Sequence, residues 1–104
     1  MAWFLVFIAG VFEVAWAIGM KYSDGFSRLV PSVLTVAAMG ASIGCLTMAI
    51  KSLPVGTAYA VWTGIGAAGT ATLGIYLFQE PVTVLRLGSI VLVVVGIVGL
   101  KLAS

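Results

Sequence analysis

One carboxylate with apolar residues on both sides is the group in this chain best placed to do chemistry: Glu13 is the only charged side chain between Met1 and Met20. A charge near mid-bilayer costs about 2.5–3.5 kcal/mol on insertion scales, so an intramembrane carboxylate usually faces a cavity, a partner or a transport path. Glu13 is therefore the candidate binding group for a cation or a proton. The plain alternative is a carboxylate that snorkels to an interface or sits protonated in a helix contact, and its apolar flanks oppose that escape. Helical steps of three and four put Ala9, Gly10, Glu13, Trp16 and Ala17 on one face. The small residues leave room around the carboxylate. Trp16, one turn on, carries an N–H that only donates and can hold Glu13 in one rotamer; interfacial anchoring is the other reading of this tryptophan.

Two more faces carry polar groups at the same spacing. Tyr59, Trp62, Thr63, Gly66 and Thr70 form a polar, aromatic and small-residue stripe that is expected to turn inward. Gly64 and Gly66 are natural bending points, with simple close packing as an equal explanation. Thr35, Met39, Ser42 and Leu46 share another face, and Ser42, taken alone, is expected to bond back to its own helix. Near the end of the chain, Gly88 and Gly96, with Gly99 beyond, line one side where another helix can approach closely.

The elements that must position these groups follow from composition. The 104 residues are 62% hydrophobic and 8% charged, whereas a soluble domain has about 25% charged residues. An all-α integral membrane protein is expected. A helix needs about 20 apolar residues to cross a bilayer, and the chain divides into four such spans at about 2–20, 29–50, 57–78 and 84–102, read as one four-helix transmembrane domain over 1–104. The breaks are Asp24-Gly25, then Pro54 and Gly56, then Gln79-Glu80-Pro81. Arg86 and Lys101 lie close enough to span ends to snorkel. A cleavable signal peptide is the weaker reading of the first span, because no Lys or Arg precedes it and Glu13 interrupts it.

Charge and cysteine usage exclude several classes. Without His and with one Cys there is no His/Cys metal cluster and no intrachain disulfide, so no metal or cofactor is expected and Cys45 reads as a small hydrophobe. The net charge of +2 comes from Lys21, Arg28, Lys51, Arg86 and Lys101 against Glu13, Asp24 and Glu80, scattered without a basic patch for nucleic acid. No phosphate-binding loop in a βαβ setting supports an enzyme. Lys and Arg are almost evenly divided between the two sides of the membrane, so either both orientations insert or subtler features fix one. Four short helices enclose little space, and an oligomer is the expected active form.

Taken together, these residues resemble the small multidrug resistance transporters over essentially the whole chain. The Glu13 helix, the stretch Lys51-Ser-Leu-Pro-Val-Gly-Thr-Ala-Tyr-Ala-Val-Trp-Thr-Gly-Ile-Gly66, the Gln79-Glu80-Pro81 turn and the Gly88/Gly96 helix occur in that family's order. The resemblance implies an antiparallel homodimer of dual-topology subunits, set in the lipid of a bacterial inner membrane, that couples export to protons. Trp16 and Ser42 resemble the guanidinium-exporting subtype, where the drug-exporting subtype typically has glycine in place of Trp16. The expected cargo is guanidinium or a small singly substituted guanidinyl cation such as guanylurea. A planar fork of N–H donors suits a carboxylate in a way that a quaternary ammonium, lacking donors, cannot match.

On this reading Glu13 binds substrate and proton in competition, and Trp16, Ser42 and Trp62 orient its carboxylate. The resemblance assigns Tyr59 a switching role at the site. Gly10, Thr63 and Met39 are second-rank candidates for space and adjustment, and Met39, Ala41 and Ile43 border a possible lateral opening, with lipid-facing packing as the blander reading. Alternatives are a broad quaternary ammonium exporter of the same family and, from another class, a membrane assembly subunit that transports nothing. A rotor-ring subunit fits poorly, being typically a two-helix hairpin.

Overall fold

Backbone chemistry at the loops decides where each helix stops. In the computed structural model, which describes Met1 to Ala103, four helices follow one another: α1 (Ala2–Ser23), α2 (Leu29–Ala49), α3 (Val55–Leu77) and α4 (Val84–Ala103). All four are long and apolar enough to cross a membrane. The first helix runs three residues past the expected end at Met20, because a lysine does not break a helix. What breaks it is Asp24, left-handed at φ 51°, followed by Gly25 at 72° and Phe26 at 66°. Ser23 closes the turn: its hydroxyl donates to the Met20 carbonyl at 2.8 Å and accepts from the Phe26 N–H at 3.1 Å.

The third helix begins at Val55, two residues before the expected Thr57. Pro54 precedes it as cap at φ −57°, and Gly56 falls in the first turn, where N–H groups have no helical acceptor. Pro31 is tolerated in the first turn of α2 for the same reason. At α4 the Thr83 hydroxyl accepts the Arg86 N–H at 3.0 Å, an N-cap bond that starts the helix at Val84, three residues after Pro81.

α1 sits at the centre, packed on both α2 and α3; α4 packs mainly on α3 and touches α1 where the Lys101 ammonium lies 5.7 Å from the centre of the Trp3 ring. The result is a slab of 40 × 34 × 16 Å. Between transmembrane helices the hydrophobic effect contributes little, and close approach through small residues takes over. The few buried apolar side chains fit that rule, being Val6, Ala9, Ala49, Ala58 and Val61. α4 buries none of its residues, and large side chains such as Leu85 and Leu92 stand exposed on it. In a chain of this composition those faces meet lipid or a second protein surface.

Candidate functional site

Glu13 lies on the face of α1 that α3 covers, and it meets α3 at Gly66. A Cβ built on Gly66 would overlap the Glu13 Oε1 and carboxyl carbon and stand 2.8 Å from Cγ. The absent side chain of Gly66 is thus the space in which the carboxylate sits. Oε1 of Glu13 is buried and has no hydrogen-bond partner among the described residues, and the same holds for Nε1 of Trp16. A buried polar group left unpaired costs about 1–3 kcal/mol, more if charged. An acceptor and a donor, one helical turn apart, are both unsatisfied. Such an arrangement can bind something that supplies the missing partners.

The other two expected orienting groups are engaged elsewhere. Ser42, fully buried on α2, donates its hydroxyl proton to the Ala9 carbonyl of α1 at 2.6 Å, and the Trp62 indole N–H of α3 donates to Ser42 Oγ at 2.8 Å. Two expectations are corrected here. Ser42 bonds across to α1 instead of back to its own helix, because α1 and α2 approach closely at Ala9. Ser42 and Trp62 also do not hold the Glu13 carboxylate directly, since each has a single donor proton and each is already used. Their effect on Glu13 goes through the backbone: in an α-helix the Ala9 carbonyl is the one that accepts the Glu13 N–H. The chain Trp62–Ser42–Ala9 therefore ties the turn that carries Glu13 to both neighbouring helices.

Tyr59 lies one turn before Trp62 on α3, with ring centroids 5.6 Å apart and planes at 55°. Tyr59 is 58% exposed, so it borders open space beside the Trp62–Ser42 chain. Thr63 is exposed and Met39 half-buried. Gly10 is buried, and the room it leaves is filled by Ile65 of α3, whose Cγ2 would be 2.5 Å from an added Cβ. α3 continues through Gly64 and Gly66 as one unbroken helix. Both glycines act as seats for neighbours, Gly66 for Glu13 and Gly64 for Ile97 of α4, whose Cδ1 would be 3.0 Å from a Cβ there. Gly88 and Gly96 face open space within the single chain. The Ala9 carbonyl and the seat at Gly66 were missed as site components. A small residue four before the carboxylate was the available signal for the first.

At residues 1–102 the chain matches the family described as Small Multidrug Resistance protein. It is 62% identical over 104 residues to the protein named Guanidinium exporter in Yersinia pestis, with all of both chains covered. Against the Guanidinium exporter of Escherichia coli (strain K12) the identity is 59% over 104 residues, covering 100% of this chain and 99% of the relative. The Guanidinium exporter of Proteus vulgaris is 55% identical, with both chains fully covered.

Proposed function

From the premise that this chain belongs to the Small Multidrug Resistance family, as a multi-pass protein of the bacterial inner membrane, we propose that it exports guanidinium and small singly substituted guanidinyl cations in exchange for protons. The observation that carries this reading is the unpaired Glu13 Oε1, held against Gly66 with the unpaired Trp16 N–H one turn away. A guanidinium ion offers N–H donors in one plane, and a carboxylate takes two of them side by side. The names of the relatives support the same cargo.

The working unit is an antiparallel homodimer of subunits inserted in opposite orientations. The near-even division of Lys and Arg between the two sides supports dual insertion. The open space at Gly88 and Gly96 supports a helix contact from a second copy. Two Glu13 carboxylates then take either two protons or one cation. Moving the empty, doubly ionised pair through the apolar membrane centre is costly, so exchange between access states favours loaded forms and leak is limited. Two protons in for one monovalent cation out moves one net charge inward, which makes transport readable as current. Trp16 faces the carboxylate, and Ser42 and Trp62 hold its helix turn. Tyr59 switches between access states at the rim. Gly10, Thr63 and Met39 shape the surroundings.

Current in reconstituted vesicles tests this with guanidinium, guanylurea and a tetraalkylammonium ion, and with Glu13→Gln as control. A guanidinyl-selective current that vanishes in the variant is expected. A tetraalkylammonium current of equal size would convert the reading to a broad drug exporter. Absence of any current from folded protein would return the chain to a non-transporting assembly role.

A further inference from the structure

A second feature lies at the C-terminal end of α1, and its inner end adjoins the Glu13 face at Ala17. A cavity of about 400 Å³ between α1, α3 and α4 is lined at its outer end by Lys21, Phe78, Glu80 and Arg86, and deeper in by small residues such as Ala17 and Ala67. A neighbouring furrow of about 390 Å³ between α3 and α4 shares Ala67, Ala71 and Arg86, then continues along Ser89, Ile90 and Val93. Arg86 thus stands over two furrows separated by a low wall of alanines.

The outer end of this cleft is cationic and lies where the spans end. Lys21 is in the last turn of α1 and Arg86 in the first turn of α4. The Lys21 ammonium sits 5.6 Å from the centre of the Phe78 ring, and Tyr22 packs on the same ring at 5.3 Å, so aromatic rings mark the headgroup level here. Arg86 pairs through Nη2 with Glu80, while its Nε is buried without a hydrogen-bond partner. Two cations against one carboxylate leave an excess positive charge at the mouth.

We propose that this cleft binds one anionic phospholipid, its phosphate between Lys21 and Arg86 and its two acyl chains in the two furrows. Basic pockets between transmembrane helices suit anionic headgroups, and one charged end above two apolar furrows matches one phosphate above two chains. A second copy of the chain fits the cleft less well. That copy carries a net charge of +2, which opposes the excess positive charge at the mouth. A free phosphate would use the charged mouth and leave the furrows empty, and a cation would meet net repulsion. The lipid links the Lys21 end of α1 to the Arg86 end of α4, two helices that otherwise meet at the opposite end, where the Lys101 ammonium lies over the Trp3 ring.

Purified full-length protein titrated with dioctanoyl phosphatidylglycerol and with dioctanoyl phosphatidylcholine tests the site, by native mass spectrometry and thermal unfolding. One phosphatidylglycerol per subunit is expected to bind in clear preference to phosphatidylcholine and to raise the unfolding temperature. Lys21→Gln, which leaves the Glu80–Arg86 pair intact, lowers that preference about fivefold, the usual worth of one basic residue at a membrane surface. The paired variant Glu80→Gln/Arg86→Gln lowers it as well, and Lys51→Gln at the opposite end leaves it unchanged. Ala67→Leu/Ala71→Leu fills the furrows and weakens both lipids alike. The proposal fails if the preference survives both charge variants, if inorganic phosphate stabilises the protein as well as phosphatidylglycerol does, or if the leucine variant changes only the oligomeric state.

Discussion

Substituting Gly66 by alanine probes the site more sharply than removing Glu13, because it leaves every functional group in place. The added Cβ would stand 2.8 Å from Glu13 Cγ and overlap the carboxylate itself, whereas ordinary contact begins at 3.4 Å. Cγ must retreat by at least about 0.6 Å and the carboxylate by more, at the typical overpacking cost of about 1–3 kcal/mol. If that cost falls on the bound geometry, guanidinium affinity drops roughly 5- to 150-fold. The helix itself gains, since alanine is favoured over glycine by about 0.8–1 kcal/mol in a helix interior. Function and stability are therefore expected to part: weaker binding and slower transport from a protein that inserts normally and loses no more than about 2 kcal/mol of stability. Gly64→Ala is the matched control, because its Cβ would meet the flexible end of Ile97 at 3.0 Å, which can move aside. Guanidinium titration calorimetry and vesicle current on both variants settle the matter. Wild-type affinity in Gly66→Ala, or an equal loss in Gly64→Ala, would refute the seat and restore a general need for helix flexibility.

Ser42→Ala leaves the Trp62 N–H buried without its acceptor, and it is expected to lower stability by about 1–3 kcal/mol, read from thermal unfolding in detergent. In a double-mutant cycle with Trp62→Phe the two losses should be non-additive by at least about 0.5 kcal/mol, whereas strict additivity would show that the bond carries no coupling. Competition at Glu13 predicts that apparent guanidinium affinity falls as pH is lowered, by up to about tenfold per pH unit for each proton displaced, because each ligand must weaken the other equally. Affinity independent of pH across the working range would remove the coupling. Gly96→Leu closes the open face of α4 and is expected to shift the protein from dimer to monomer in native mass spectrometry, with loss of transport. A full complement of dimer would place the subunit contact elsewhere.

The spans and the carboxylate were legible in the sequence because both rest on strong local signals. Twenty apolar residues between turn residues leave few alternatives to a membrane helix, and a lone Glu13 inside one is conspicuous. Helix ends were less legible. Asp24-Gly25 was read as the first break and is one, but the helix was expected to end at Met20 and instead continues to Ser23, up to the left-handed residues from Asp24 to Phe26. Gly56 looked like a break, but its place in the first turn of α3 removed the penalty. The bond from Ser42 to Ala9 spans 33 residues, and no periodicity within either helix specifies it. Gly64 and Gly66 were read alike as bending points; the polar stripe included only Gly66, and their neighbours, Ile97 and Glu13, separate their roles.

The division of labour among the three donors has a physical sense. Had Trp62 and Ser42 donated directly to Glu13, the carboxylate would already be satisfied, and a proton or cation would have to displace those bonds. With Trp62 donating to Ser42 and Ser42 to the Ala9 carbonyl, the helix turn is fixed from two sides while Oε1 stays unpaired. Rigidity is placed in the backbone and reactivity in the side chain. Trp16, also unpaired, is left as the indole donor that can join the bound state. Trp62→Phe and Trp16→Phe should therefore differ in kind: the first lowers thermal stability, and the second leaves stability within about 0.5 kcal/mol of wild type but weakens guanidinium binding. Equal effects of both substitutions on stability and on binding would show that the two indoles act as one set.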